Sequence, residues 1–226
     1  DGYVTIDSNH IIGNGISSGD DQGNAISTTS YGAKTIRNNT VSGYTSNTSM
    51  PLIYIKYANS SSSSITTLNN NFLVGNEDYA VYVDDDNGDA TLASNWWGTT
   101  STTELQALTY DWNDNPTKSS VIYSSLLSAP ATSAPPAPPQ NLAAQVGPTS
   151  IQLAWSANPE SDIAEYKVYY DTDQAGYPYA NSVETNSTTP SYTISGLTTG
   201  TTYYTAVAAI DSDGNESWVS ANTNAV

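Results

Sequence analysis

Thr35-Ile36-Arg37-Asn38-Asn39-Thr40-Val41-Ser42-Gly43 decides the fold, because it is one copy of a pattern that returns along the first half of the chain. The pattern Thr-apolar-x-x-Asn-x-apolar-x-Gly also fits Thr5-Ile6-x-x-Asn9-x-Ile11-x-Gly13 and Thr67-Leu68-x-x-Asn71-x-Leu73-x-Gly75. An altered copy, Thr91-Leu92-x-x-Asn95-Trp96-Trp97-Gly98, closes the series. From Asn to Asn the steps are 30, 32 and 24 residues. Repeats of this length mark a stacked architecture in which each unit buries its apolar face on the next.

Within each repeat, short β-branched runs alternate with Gly, Asn, Ser and Asp clusters, the signature of strands and turns. Val4 and Ile6 fall on one face, and Thr66 and Leu68 take the same relation later. Further strands are expected at Ala25-Ile26, Leu52 to Ile55 and Ala80 to Val83. About three short strands per repeat predict a parallel β-helix over residues 1–128. Ile6, Ile36, Leu68 and Leu92 would form one interior row, and Ile11, Val41, Leu73 and Trp97 another. Asn9, Asn39, Asn71 and Asn95 would share a corner, where Asn tolerates a left-handed backbone and its amide can bond to the Asn of the next coil. Gly13, Gly43 and Gly75 fit bends. Lys34 breaks the pattern beside Ile36, and Gly98 comes one position early.

The chain has 226 residues, room for two modest domains, with 22 acidic against 5 basic residues and a formal charge of −17. So acidic a chain repels nucleic acid and anionic membrane surfaces. There is no cysteine, hence no disulfide framework. No apolar run approaches a membrane span. The first residue is Asp1 and not Met, so a signal peptide or upstream region is expected to precede it. Abundant Ser, Thr, Asn and Tyr suggest a secreted or surface-exposed protein.

Ser128 to Pro139 reads SAPATSAPPAPP. Its prolines lack N–H donors and fix φ, so an extended polyproline II spacer is expected, with the linker at 129–137 and a second module at 138–226. The module opens at Pro139-Gln140-Asn141-Leu142, and Ser150-Ile151-Gln152-Leu153-Ala154-Trp155 gives a strand with an inward Trp. Asn158-Pro159-Glu160-x-Asp162-Ile163-x-x-Tyr166-x-Val168-Tyr169-Tyr170 follows as loop and strand. Leu197-x-x-Gly200-Thr201-x-Tyr203 fits a tyrosine corner, and Asp213-Gly214-Asn215-Glu216-Ser217 a late turn. By alternation alone this is an all-β sandwich of about seven strands. Its motifs resemble those of fibronectin type III domains over nearly the whole module. The first half resembles secreted right-handed parallel β-helix proteins of the pectate-lyase-like superfamily. There the closest likeness is Ala93-Ser94-Asn95-Trp96-Trp97-Gly98-Thr99, followed by a short helix near Glu104 to Leu108, an acidic loop Tyr110 to Asp114 and a strand at Val121 to Tyr123. Trp96, Trp97, Leu105, Leu108 and Trp112 are expected to cover the end of the stack.

That superfamily includes polysaccharide lyases and hydrolases, which implies a search for a basic residue and a calcium-held uronate. The repeat region offers Lys34, Arg37, Lys56, Lys118 and His10. The lysines and Arg37 read as solvated charges on the outer face, and alternation points His10 outward, with no nucleophile beside it. Asp20-Asp21 and Asp84-Asp85-Asp86 sit in loops where neighbouring carboxylates point apart, unlike the pair a glycosidase needs. No catalytic residue is therefore assigned. Asp84, Asp86 and Asp89 around Gly88 are the candidate calcium ligands, ahead of Asp111/Asp114 and Asp211/Asp213/Asn215, since calcium takes six to eight oxygens. The competing reading of all three groups is an ordinary Asp/Asn/Gly turn. Sequons stand at Asn38, Asn47, Asn59, Asn186 and Asn215. The 17 tyrosines could line a sugar-binding surface, although Tyr also suits half-buried strands.

The repeated positions hold core and turn residues, and no chemical group recurs with them. That favours a non-catalytic extracellular structural or adhesive protein that self-associates or binds other surface proteins. The first coil shows no cap before Tyr3, so its edge should continue upstream or stack on another subunit. The alternative is the C-terminal part of a polysaccharide lyase or hydrolase, or a glycan-binding protein, with polysaccharide as the partner. No cofactor is required on the leading reading, and calcium is the one candidate.

Overall fold

The computed structural model describes residues 3–12, 24–28, 32–42, 51–56, 63–73, 79–84, 86, 88–173 and 176–226. Two compact units share the chain, Asp1–Ala134 and Pro135–Val226. The described residues are all-β apart from one six-residue helix.

In chain order the first unit contains β1 (Val4–Asp7), β2 (His10–Ile12), β3 (Ile26–Thr28), β4 (Gly32–Arg37), β5 (Thr40–Ser42) and β6 (Ile53–Ile55). It continues with β7 (Ser63–Leu68), β8 (Asn71–Phe72), β9 (Val81–Val83), β10 (Ala90–Ala93), helix α1 (Thr102–Ala107), β11 (Thr109–Tyr110) and β12 (Val121–Ser124). All pair in parallel, in the orders β1-β4-β7, β2-β5-β8, β3-β6-β9-β11 and β10-β12. Through β9, every third strand returns to the same ladder, so each repeat adds one rung to each of three sheets.

Alternation assigns the faces. Ile26, Ile53, Val81 and Thr109 lie in register and are buried. Ser27, Tyr54, Tyr82 and Tyr110 form the register row that faces outward. Fully burying one such Ile or Val contributes roughly 1.5–3 kcal/mol, so the stack is held chiefly by these interior rows.

Asn70, and not Asn71, occupies the corner of the third rung. Asn9 Nδ2 donates to Asn39 Oδ1 (3.0 Å), Asn39 Nδ2 to Asn70 Oδ1 (2.9 Å), and Asn70 Nδ2 to Asn95 Oδ1 (2.8 Å). Each of those oxygens also accepts the backbone N–H of the preceding Asn. The spacings along the ladder are therefore 30, 31 and 25 residues. The interior row follows the same shift, because Ile6, Ile36 and Thr67 are in register while Leu68 pairs with Arg37 and is 43% exposed. Thr67 is buried; its hydroxyl donates to the Ala93 carbonyl (3.0 Å) and accepts from Asn95 Nδ2 (2.8 Å). Phe72 replaces Leu73 in the other row, paired with Val41 and packed on Trp97 with ring centroids 4.3 Å apart.

The left-handed residue is not the ladder Asn but the one before it. Ser8, Asn38, Asn69 and Ser94 have φ of 55°, 53°, 53° and 56°, and Ser125 repeats the bend at 49° after β12. Small polar side chains tolerate this conformation best after glycine. Gly13, Gly43 and Gly75 lie outside the described residues.

At the far end Trp97 and Leu105 are buried, with Leu108, Tyr123 and Leu126 packed beside them. Ser101 caps α1, its Oγ accepting from the Glu104 N–H (3.3 Å). Trp112 does not join this cap and stands 51% exposed.

The Pro/Ala stretch is tied down at both ends. The Ala131 N–H donates to Asn71 Oδ1 (2.7 Å), Asn71 Nδ2 donates back to the Ala131 carbonyl (3.1 Å), and Ser133 Oγ donates to Asn38 Oδ1 (2.9 Å). In the second unit the Ala137 N–H donates to Glu160 Oε1 (2.7 Å) and its carbonyl accepts from Asn158 Nδ2 (2.7 Å). The alanines interspersed with proline keep donors that these side chains capture. Of the spacer expected at 129–137, Ala134, Pro135 and Pro136 lie between the anchored positions.

The second unit is a seven-stranded antiparallel sandwich. Its strands are β13 (Gln140–Val146), β14 (Ser150–Ser156), β15 (Ile163–Asp171), β16 (Asn181–Glu184), β17 (Ser191–Ser195), β18 (Tyr203–Asp211) and β19 (Thr223–Ala225), in sheets β13-β14-β17 and β16-β15-β18-β19. Trp155 and Tyr166 meet edge to face in its core, centroids 5.0 Å apart. The Tyr203 hydroxyl accepts from the Thr198 N–H (3.2 Å), and Gly200 supplies the positive φ (76°) of that tyrosine corner.

The ladder makes two substitutions separable. Asn70→Ala removes four side-chain hydrogen bonds inside the stack and should cost about 3 kcal/mol of unfolding free energy in urea. Asn71→Ala should cost less, about 1–2 kcal/mol, but should speed proteolysis around Ala131. Equal effects of the two on both readouts would refute the register.

Candidate functional site

Among the described residues of the first unit, the outward row of the third ladder gathers the most aromatic and charged groups. Tyr54, Tyr82 and Tyr110 sit on adjacent rungs with nearly parallel rings, the centroids 5.8 and 4.5 Å apart. Tyr79 meets both Tyr82 and Tyr110 edge-on. At the margin Asp84 accepts from the Tyr54 hydroxyl (2.8 Å) and forms an ion pair with Lys118. Lys118 holds the Asp84 carboxyl below its ordinary range, and Asp84 raises the Lys118 ammonium in turn. Burial, followed by Tyr110, raises the Tyr82 phenol. The cluster is a polar, aromatic strip in which the Asp84 carboxylate is paired with the Lys118 ammonium.

The basic candidates are scattered. Lys34 is buried at 5% exposure, inside the coil between Val4 and Ile65 in register, and so is not a solvated outer charge. Arg37 lies on the outside, its Nη2 2.7 Å from Asp7, and this bond lowers the Asp7 carboxyl. Lys56 is exposed just beyond β6 and contributes to the field at Asp84. Lys34, Arg37 and Lys56 therefore do not converge.

Of the calcium candidates, Asp84 has its oxygens engaged by Tyr54 and Lys118, and Asp89 Oδ1 accepts from the Ser120 N–H (3.0 Å). Asp86 stands between them in sequence, while Asp85 and Asn87 lie outside the described residues, as do Asp20 and Asp21. Among the described residues no three His, Cys, Asp or Glu groups gather at a metal-binding distance.

The two weaker acidic groups are turn organisers. Buried Asp111 accepts the Asn113 N–H and amide on one oxygen and the Val121 N–H on the other. Buried Asp211 does the same in the second unit, taking the N–H groups of Asp213 and Asn215 and the Asn215 amide.

Among the sequons, Asn38 is half-buried with both side-chain polar atoms bonded, to Asp7 and Ser133. Asn186 and Asn215 are exposed residues. Asn47 and Asn59 lie outside the described residues.

A seven-stranded sandwich with an inward Trp and a tyrosine corner defines an immunoglobulin-like β domain. Residues 137–224 match the fibronectin type III domain family, and this segment is a fibronectin type III domain. A Fn3-like protein from Clostridium thermocellum is 34% identical, the match covering 40% of this chain and 92% of that one with a TM-score of 0.35. The chicken CNTN1 FN1-FN3 domains are 18% identical, over 46% of this chain and 33% of that one, with a TM-score of 0.36. A comparison with proteins of curated function finds no match. Among the described residues no helix is long and apolar enough to cross a membrane.

His10 lies on β2, half-buried and not outward in solvent, with Nε2 3.4 Å from Ser42 Oγ. Burial lowers its pKa from 6.5 to about 4. The unfolded chain therefore binds a proton near pH 6.5 that the folded ring refuses until about pH 4. Stability is full above the first value and falls as the pH drops towards the second, by no more than about 3.4 kcal/mol. Urea unfolding should show this acid slope in the wild type and lose it in His10→Gln. The same slope in both would reject the assignment.

Proposed function

We propose that this chain belongs to a non-catalytic extracellular structural or adhesive protein. On this reading residues 1–128 are the closing coils of a right-handed parallel β-helix of the pectate-lyase-like kind. A linker at 129–137 joins them to the fibronectin type III domain of 138–226. The observation that carries the reading is the continuous Asn9-Asn39-Asn70-Asn95 ladder: the side chains recurring from rung to rung serve the backbone of the stack. Fibronectin type III domains are common in extracellular and adhesion proteins, which supports a cell-surface or secreted setting.

Self-association is part of the proposal. Among the described residues β1 pairs on one side, with β4. Val4 on that strand is 45% exposed, an edge that can take another rung, from upstream sequence or from a second subunit. Sedimentation should show concentration-dependent assembly and negative-stain images should show rods. Monomers at every concentration would sink this part.

The tyrosine strip favours a second reading, a glycan-binding protein or the C-terminal part of a polysaccharide lyase or hydrolase. Product release from pectin and alginate, with and without calcium, separates the two. The leading reading expects none, and release abolished by changing Lys34, Arg37 or Lys56 would overturn it. Calcium binding by Asp84, Asp86 and Asp89 would have to displace Lys118 from Asp84. It would be established by a calcium-dependent rise in Tm that Asp86→Asn removes. Glycans on Asn38, Asn47, Asn59, Asn186 or Asn215 would be read by mass spectrometry of material from the native source.

A further inference from the structure

The outer face of the β16-β15-β18-β19 sheet carries a second aromatic layer. Alternation sends Tyr166, Val168, Val207 and Ala209 into the sandwich core, and leaves Lys167, Tyr169, Ala206 and Ala208 on the opposite face. In register, Lys167 pairs with Ala208 and Tyr169 with Ala206. An outer face would ordinarily be wet, yet both alanines are fully buried and Tyr169 is 7% exposed. Rings account for the cover. Tyr177 and Tyr179 lie 6.0 and 5.9 Å from Tyr169, and Trp218 lies 5.2 Å from Tyr177, centroid to centroid.

The outermost two rings stay half in water, Tyr177 at 52% and Trp218 at 49% exposure. They meet at 46°, so their exposed surfaces form an open angle rather than a flat wall. Beside Tyr169 is a fixed polar group. Lys167 Nζ is 3.1 Å from Glu216 Oε2 and 5.2 Å from the Tyr169 centroid, and the Tyr169 hydroxyl donates to the other Glu216 oxygen. Burial, and then this bond to Glu216, raise the Tyr169 phenol to about 12.

We propose that Tyr177 and Trp218, with the Lys167–Glu216 pair at their rim, bind a neutral polysaccharide. Size is the first argument. Two half-exposed rings offer roughly 200 Å², far below the roughly 800 Å² per partner that a stable protein interface buries. The patch therefore suits a small flat ligand better than a second protein surface. Chemistry is the second: a pyranose presents a face of C–H hydrogens that packs on the electron-rich face of an aromatic ring. Its hydroxyl edge can use the lone pairs and N–H groups that Glu216 and Lys167 retain after bonding to each other. Charge is the third. A chain of formal charge −17 disfavours acidic polymers, which leaves neutral ones. The rings are also held in place by their neighbours, so little side-chain freedom is lost on binding.

This inference rests on the adhesive part of the proposed function and names its target; it does not depend on self-association. The test is affinity electrophoresis of the full chain in native gels containing hydroxyethylcellulose, xylan or galactomannan, with polygalacturonate as the anionic comparison. Retardation is expected in at least one neutral gel and not in polygalacturonate. Trp218→Ala and Tyr177→Ala should each weaken it about tenfold while leaving Tm within a few degrees. Trp112→Ala, at an exposed ring of the first unit, should leave retardation unchanged. The proposal is overturned if no neutral gel retards the chain, or if both ring variants are retarded like the wild type. It is equally overturned if Tyr54→Ala alone abolishes retardation, which would move the site to the tyrosine strip. Assembly lost in Trp218→Ala, with no retardation by any sugar, would identify a protein-docking patch instead. Rods that persist without sugar binding would reject this inference and leave the scaffold reading standing.

Discussion

The side-chain amide of one asparagine per rung is the constraint on which the first unit depends. A corner where the chain leaves one sheet for the next strands backbone donors and carbonyls away from water, and buried groups of this kind are costly when unpaired. Asn39 and Asn70 answer both needs, with an oxygen that accepts two N–H groups from the rung before and an amide that donates to a carbonyl there and to the next Asn. No other side chain of that size offers donors and an acceptor at once without charge. Because each amide spans two rungs, the ladder fixes their register and not merely their proximity. The left-handed bend just before each Asn follows from this, since it aims the amide inward as the strand direction turns.

The ladder also explains where sequence reading holds and where it slips. The period, the parallel strands, the Trp97 end and the fibronectin type III domain were all legible, because each leaves a pattern longer than any single residue. The third rung was not. Asn69-Asn70-Asn71 offers three equivalent letters, and the choice of Asn71 placed apolar Leu68 and Leu73 in the interior rows. The correct register puts Thr67 inside instead, which no apolar pattern predicts. Thr67 is tolerated there because its hydroxyl bonds to Ala93 and Asn95. A usable signal was present in the Ser-Asn or Asn-Asn pair at each corner, followed two positions later by Ile11, Val41, Phe72 and Trp97.

Side-chain burial was less readable still. Lys34 interrupts an apolar row, which suggested an outward charge, yet its backbone position dictates an inward one. His10 was assigned outward by alternation, but its strand is short and both neighbouring apolar residues are themselves only half-buried. The acidic loops admit two readings in the sequence, cation ligands or ordinary turns. Asp111 and Asp211 each close a loop around their own carboxylate, as the turn reading expects. A carboxylate that accepts three N–H bonds has already found the positive partial charges that a cation would supply.

Both units leave little positive charge unpaired. Of the five basic residues, Arg37, Lys118 and Lys167 are paired with Asp7, Asp84 and Glu216, and Lys34 is buried. Little positive potential remains to oppose 22 acidic groups. Surfaces that are not acidic are therefore dominated by Ser, Thr, Asn and aromatic rings, which bind through hydrogen bonds and stacking instead of long-range attraction. Such contacts are short-ranged and weakly dependent on salt. A stack that repeats the same rung and a domain that exposes a few rigid rings both suit many weak contacts made in parallel. Contacts of that kind gain strength from number and fixed spacing more than from any single site.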